Sequence, residues 1–190
     1  MFVTDQSTIN AIVGFDLHRG VIGVADRPVA RTLDDVLSKA ARVVVVEGVN
    51  DAENLGAIAR SARALGADAL VLDPTCADPY YRRSVRVSMG EMLHLPIARA
   101  PLDETLMRLA DDGFGIWALT PDPAAVGIAT LDVPDRLAVL VGSEGPGLSS
   151  RVLARHRNVR IPMSHAVDSL NVGHAVAVAL AIVQTHTHDE

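Results

Sequence analysis

The chain has 190 residues, of which 49% are apolar and 21% charged. That is enough for one domain with a sizeable core and too hydrophobic for a disordered chain. The formal net charge of −6 and the 3% of aromatic residues exclude a broadly basic nucleic-acid binder and one that grips mainly by base stacking.

The N-terminus, Met1-Phe-Val-Thr-Asp-Gln-Ser7, has neither a basic start nor a long apolar run, so no signal peptide is expected. Short apolar, β-branched runs then alternate with helical patterns. Strands are predicted at Val21–Val24, Val43–Glu47, Ala69–Leu72, Gly115–Leu119, Leu137–Val141 and Val159–Ile161. Helices are predicted at Leu33–Ala40, Leu55–Leu65, Arg82–Met89, Leu102–Asp112, Ser149–Arg155 and Asn171–Gln184. Thr32 is the expected N-cap of the first helix, and Gly66 and Gly113 are expected C-terminal stops. Strands apolar on both faces fit a mostly parallel sheet covered by helices on both sides, an α/β doubly wound pattern.

In the helix after Val43–Glu47, Leu55, Ile58, Ala62 and Leu65 share one face, with Arg60 opposite at roughly 100° per residue. Arg60 is therefore expected to point away from the core, toward the C-terminal edge of the sheet. Asn54 can cap this helix, and Gly56 permits close approach of a backbone or a ligand. Arginines cluster at Arg82, Arg83 and Arg86, and again at Arg151, Arg155, Arg157 and Arg160. Each group reads either as a solvated helix face or as a set of phosphate contacts.

The run Gly142-Ser-Glu-Gly-Pro-Gly-Leu-Ser149 follows a strand and precedes a helix. Its glycines do not fit G-x-G-x-x-G, and no Walker lysine follows. A carboxylate at Glu144 would repel a pyrophosphate and suits a cationic ligand or an arginine. Pro162 prevents simple continuation of the strand ending at Ile161, and Ser169 and Asn171 are placed to cap the last helix. From Ala175 to Val183 that helix is apolar nearly all round, which predicts burial on every side and packing against a second copy. The same run is far too short to span a membrane. The single cysteine, Cys76, rules out an internal disulfide and suits a reducing cytoplasm. None of the seven histidines pairs with a cysteine in ligand spacing, so no metal is expected. His186 and His188 read as tail.

Asn54-Leu-Gly-Ala-Ile-Ala-Arg60, the Gly142–Ser149 run, Ile161-Pro-Met163 and Ser169-Leu-Asn-Val172 together resemble the SpoU/TrmH family of RNA ribose 2′-O-methyltransferases, of the SPOUT superfamily. The resemblance covers roughly Val43 to Val183. It implies a C-terminal trefoil knot around Leu140 to Val176, S-adenosylmethionine (SAM) as methyl donor, RNA as substrate, and a homodimer formed through the last helix. Asn54, Arg60, Glu144, Ser169 and Asn171 match the family's catalytic positions. Gly142, Gly145, Ile161, Met163 and Leu170 match positions that cup the cofactor. Family mechanisms cast Arg60 as the base. A guanidinium stays protonated in proteins, so it is better suited to hold the ribose 2′-oxygen and an adjacent phosphate. His165 and Asp168 depart from the family, where small residues are more usual.

Gly14–Pro28 resembles the end of the N-terminal RNA-binding domain that many members carry. Residues 1–40 are therefore expected to be an arm, either a remnant of that domain or a native short extension. Residues 41–190 are expected to form the methyltransferase domain. Arg82, Arg83 and Arg86 are the candidate RNA contacts, with rRNA favoured over tRNA and a cytoplasmic location expected. An inactive RNA-binding module of the same fold, and a doubly wound enzyme using another nucleotide cofactor, are the alternatives.

Overall fold

A computed structural model describes residues 1–18, 21–164 and 168–187 of the chain; His165 and His188 lie outside the described residues. The described chain contains seven strands in one sheet, ordered β3-β2-β1-β6-β4-β7-β5, and every pairing is parallel. The strands are β1 (Arg42–Glu47), β2 (Ala69–Leu72), β3 (Ile97–Arg99), β4 (Gly115–Leu119), β5 (Val126–Gly127), β6 (Leu137–Gly142) and β7 (Arg157–Arg160). The helices are α1 (Gln6–Val13), α2 (Leu33–Leu37), α3 (Ala52–Ala64), α4 (Arg82–Val87), α5 (Leu102–Asp111), α6 (Ser150–Arg155) and α7 (Val172–Thr187).

Alternation along the strands divides the core in two. Val44 and Val46 of β1 pack with α3 and α7, while Val43 and Val45 pack with α2, α5 and α6. Both strand faces are thus buried, which is why β1 and β2 read as unbroken apolar runs. The expected α/β architecture with helices on both faces is the observed one. The chain passes from β6 to β7 on the far side of β4, then returns to pack α7 against α3, a path consistent with a C-terminal knot.

Thr32 caps α2 in a reciprocal box with Asp35. Gly66 and Gly113 follow α3 and α5 with φ of +78° and +76°, the left-handed geometry of helix stops.

Two expectations need correction. Val21–Val24 is not a strand: Val21, Ile22 and Val24 are exposed and have no sheet partner among the described residues. β3, the edge strand near the arm, is three residues long and already takes a parallel bridge from Arg31 to Ala98. The arm is tied instead by an Arg27–Asp78 ion pair at 2.6 Å and by Arg82 lying 5.7 Å over the Phe15 ring. Second, α3 is capped not by Asn54 but by Asp51, whose carboxylate accepts from the amides of Glu53 (2.8 Å) and Asn54 (2.9 Å). The close approach of a backbone or a ligand expected at Gly56 is made by α4: a Cβ there would lie 2.8 Å from both the Ser84 carbonyl oxygen and Val87 Cβ. Within one protomer, Val172, Val176, Ala179, Leu180 and Val183 of α7 are buried, whereas His174 and Val178 are exposed.

Candidate active site

All strands run parallel, so their C-terminal ends share one edge, where ligands bind in open α/β sheets. A pocket of about 410 Å³ opens there, between the ends of β4, β6 and β7 and the start of α7. That is the size of a small-molecule site.

Its first wall is the loop after β6. The Gly147 amide donates to the Ser143 carbonyl at 3.0 Å, closing a tight turn, with Gly145 and Gly147 at φ of +86° and +72°. The returning backbone passes so near Gly142 that a Cβ there would sit 2.1 Å from the Gly147 carbonyl carbon. No side chain fits at position 142. Glu47, at the end of β1, pins the far end of the loop by accepting from the Ser149 amide at 2.9 Å. The second wall is the segment leaving β7, which contributes Ile161, Met163, Ser169 and Leu170. Ile161 is half-buried and Leu170 is 39% exposed, and both line the pocket.

A polar junction closes one side. Asn171 Nδ2 donates to Asn54 Oδ1 at 2.7 Å and to Glu144 Oε1 at 2.8 Å. Asn171 Oδ1 accepts from the Gly173 amide at 2.9 Å and so caps α7. Three segments distant in sequence are thereby joined through one side chain. Asn54, Glu144 and Asn171 are brought together as expected, while Ser169 lines the pocket outside the helix it was expected to cap.

Arg60 does not line this pocket. It lies six residues beyond Asn54 on α3, about 9 Å down the axis at a rise of ~1.5 Å per residue. It is exposed and forms no hydrogen bond or ion pair with the described residues. The helical wheel placed its side chain on the outer face correctly. Of the arginines on α4, Arg83 pairs with Glu53 at 2.8 Å and Arg82 covers Phe15, leaving Arg86 exposed and without a partner among the described residues.

Leu119, Thr120 and Pro121 also line the pocket and were missed in the sequence. Their signal was positional: they follow a predicted parallel strand, on the edge where sites form. Among the described residues Glu144 is the only ionisable side chain on the lining, and no lysine or arginine faces the pocket. The walls are mostly aliphatic. This chemistry suits a ligand with an apolar body and a cationic centre, and opposes a pyrophosphate. Among the described residues no cluster of histidine, cysteine or acidic side chains could hold a metal ion, and no helix is long and apolar enough to cross a membrane.

A model of the SpoU rRNA methylase family matches residues 41–181. An uncharacterized tRNA/rRNA methyltransferase of Mycobacterium tuberculosis is 47% identical over 176 residues, covering 88% of this chain and 60% of the relative. The 23S rRNA (adenosine(1067)-2'-O)-methyltransferase of Streptomyces azureus is 34% identical over 179 residues, covering 93% of this chain and 66% of that protein. The chain thus spans about 60% of the length of the mycobacterial relative. Among solved structures, an rRNA methyltransferase from Sinorhizobium meliloti with AdoMet bound superposes with a TM-score of 0.86 at 28% identity, covering 96% of this chain and 70% of that one.

Proposed function

The chain belongs to the SpoU rRNA methylase family, and from that premise we propose that it transfers a methyl group from SAM to a ribose 2′-hydroxyl of RNA, with rRNA favoured over tRNA. The observation that carries the reading is the pocket itself. Its aliphatic walls, lone carboxylate and lack of cationic side chains among the described residues fit an adenosyl group joined to a sulfonium. The AdoMet-bound neighbour of the same fold supports that cofactor, and the Streptomyces relative supports 2′-O transfer on rRNA.

When bound, SAM supplies an electrophilic methyl group. Ile161, Met163 and Leu170 offer apolar surface for its adenosyl part, and the Gly142 and Gly145 backbone can approach closely because no side chain intervenes. Glu144 offers charge complementary to a sulfonium, and Ser169 a hydroxyl at the pocket wall. Asn171 holds Glu144 and Asn54 in fixed register. Arg60, outside the pocket, acts on the acceptor: it holds the 2′-oxygen or a neighbouring phosphate and stabilises charge as the proton leaves. Arg82, Arg83 and Arg86 contribute phosphate contacts, with Arg86 the most available of the three.

Residues 41–190 carry the methyl-transfer site in this reading; of residues 1–40, the stretch up to Arg31 is an arm beside β3 and α4, while α2 packs into the core against β1. The active form is a homodimer through the exposed strip of α7, working in the cytoplasm without a metal. The test is incubation of the chain and labelled SAM with a pool of unmodified rRNA and tRNA transcripts, followed by mapping of the label. Label on a ribose 2′-oxygen of rRNA is expected. Label on a base overturns the ribose assignment. SAM binding without transfer to any transcript favours an inactive RNA-binding module.

A further inference from the structure

We propose that Asn54 is an acceptor-binding residue that presents its amide N–H₂ to an oxygen of the acceptor nucleotide, and that Asn171 and Glu144 are positioning residues that fix this polarity. The proposal deepens the methyltransferase reading and rests on it.

An asparagine side chain can face either way, and its partners decide which. Asn171 has no freedom. The Gly173 amide is a donor only, so the Asn171 atom facing it at 2.9 Å is the oxygen. On the other side a Glu144 carboxylate oxygen accepts, so the Asn171 atom facing it at 2.8 Å is the nitrogen. Both constraints agree. The second hydrogen of that nitrogen points to Asn54 at 2.7 Å, which requires an oxygen from Asn54. Asn171 is then saturated: two N–H groups given, one carbonyl engaged.

The consequence falls on Asn54. Its oxygen is committed to Asn171, and its nitrogen, with two hydrogens, has no partner among the described residues. Asn54 is only half-buried, so this donor is open to a ligand. It does not line the pocket that Asn171 and Glu144 line. It stands on α3, the helix that also carries Arg60. A free donor beside the pocket, on the helix of an exposed arginine, matches an electron-rich oxygen of the incoming ribose or phosphate rather than the cofactor.

Two substitutions separate this role from a merely structural one. Asn54→Asp keeps an oxygen for Asn171 but turns an anionic oxygen outward where the donor was. Asn54→Ala removes both. If Asn54 only braces Asn171, Asn54→Asp stays near wild type and Asn54→Ala is the worse variant. If Asn54 donates outward, Asn54→Asp is at least as damaging as Asn54→Ala, and both lose about 10²–10³ in kcat/KM, the range for removal of one preorganised donor. SAM affinity, measured by calorimetry, stays within a few-fold of wild type in both. An Asn54→Asp variant with more than roughly a tenth of wild-type kcat/KM on the transcript pool, well above the expected range, overturns the proposal.

A second measurement needs no variant to fold well. In ¹⁵N-labelled wild-type protein the Asn54 side-chain amide signals shift on addition of the transcript pool and not on addition of SAM, while those of Asn171 hold still on addition of the transcripts. Asn54 signals that ignore RNA overturn the proposal. If the wild type binds SAM but methylates nothing, the methyltransferase reading fails, and this proposal with it. If the wild type is active and the Asn54→Asp variant keeps that activity, only this proposal fails.

Discussion

At the residue scale, Arg60 and Cys76 make opposite cases. Arg60 is exposed and bonded to none of the described residues, so its charge is free for a ligand; no packing argument accounts for it. Arg60→Ala should leave SAM affinity nearly unchanged and lower methyl transfer by about 10²–10³, because in the proposed mechanism the side chain acts on the acceptor and not in the pocket. Calorimetry with SAM beside a labelled-methyl assay measures both, and normal turnover would remove Arg60 from the mechanism. Cys76 is 5% exposed, and its thiol donates to the Val46 carbonyl at 3.3 Å. Burial, with Asp73 nearby, pushes that thiol up to about 11. At pH 8 only about one part in a thousand is then thiolate, the reactive form. Iodoacetamide should leave the native protein unmodified over a time that fully alkylates the denatured chain. Rapid labelling of the native protein would show that the turn after β2 opens freely.

At the element scale, the sequence was most informative where one physical signal dominated. β1, β2, β4 and β6 are β-branched or apolar on both faces, and their predicted bounds differ from those observed by a residue at most. β3 and β5, three and two residues long, carry too few positions for any period and were not legible. α1 carries only a short apolar stripe, Ile9, Ile12 and Val13, and buries none of it; its Asp5 cap and Gly14 stop were its other marks. Conversely, Val21–Val24 had the composition of a strand and no edge to join. The polar junction of Asn54, Glu144 and Asn171 was legible only as three motif residues. That one amide bridges the other two depends on α7 returning beside α3, which no local pattern encodes. Gly56 is a case where the role was readable but the neighbour was not. A Cβ there meets backbone as well as side chain at 2.8 Å, and the Ser84 carbonyl cannot rotate away. Gly56→Ala should therefore push α4 from α3 and cost about 1–3 kcal/mol, read as a lower urea midpoint with the slope unchanged. A neutral or stabilising effect would mean that α4 is held only loosely.

At the scale of the whole molecule, composition and strand pattern located the sheet, and the parallel arrangement then fixed where a site had to be. The state of assembly is a separate matter, and α7 is its best probe. The helix has one apolar face against α3 and a second strip of His174, Val178 and Ala181 at i, i+4 and i+7, with Val178 37% exposed. A helix of this composition leaves apolar surface in water unless something covers it. A second copy of the chain is the occupant proposed. Val178→Glu places a charge on that strip without touching the protomer core, so it should give folded monomers that keep SAM affinity, because the pocket lies at the N-terminal end of the helix. Ala179→Glu is a different experiment despite its adjacency. Ala179 is fully buried, and an unpaired charge there is expensive within one protomer, so insoluble or unfolded protein is the expected outcome. Sedimentation of the wild type and of the Val178→Glu variant at micromolar concentration decides the matter: dimer and monomer, respectively, support the interface, and a monomeric wild type rules it out.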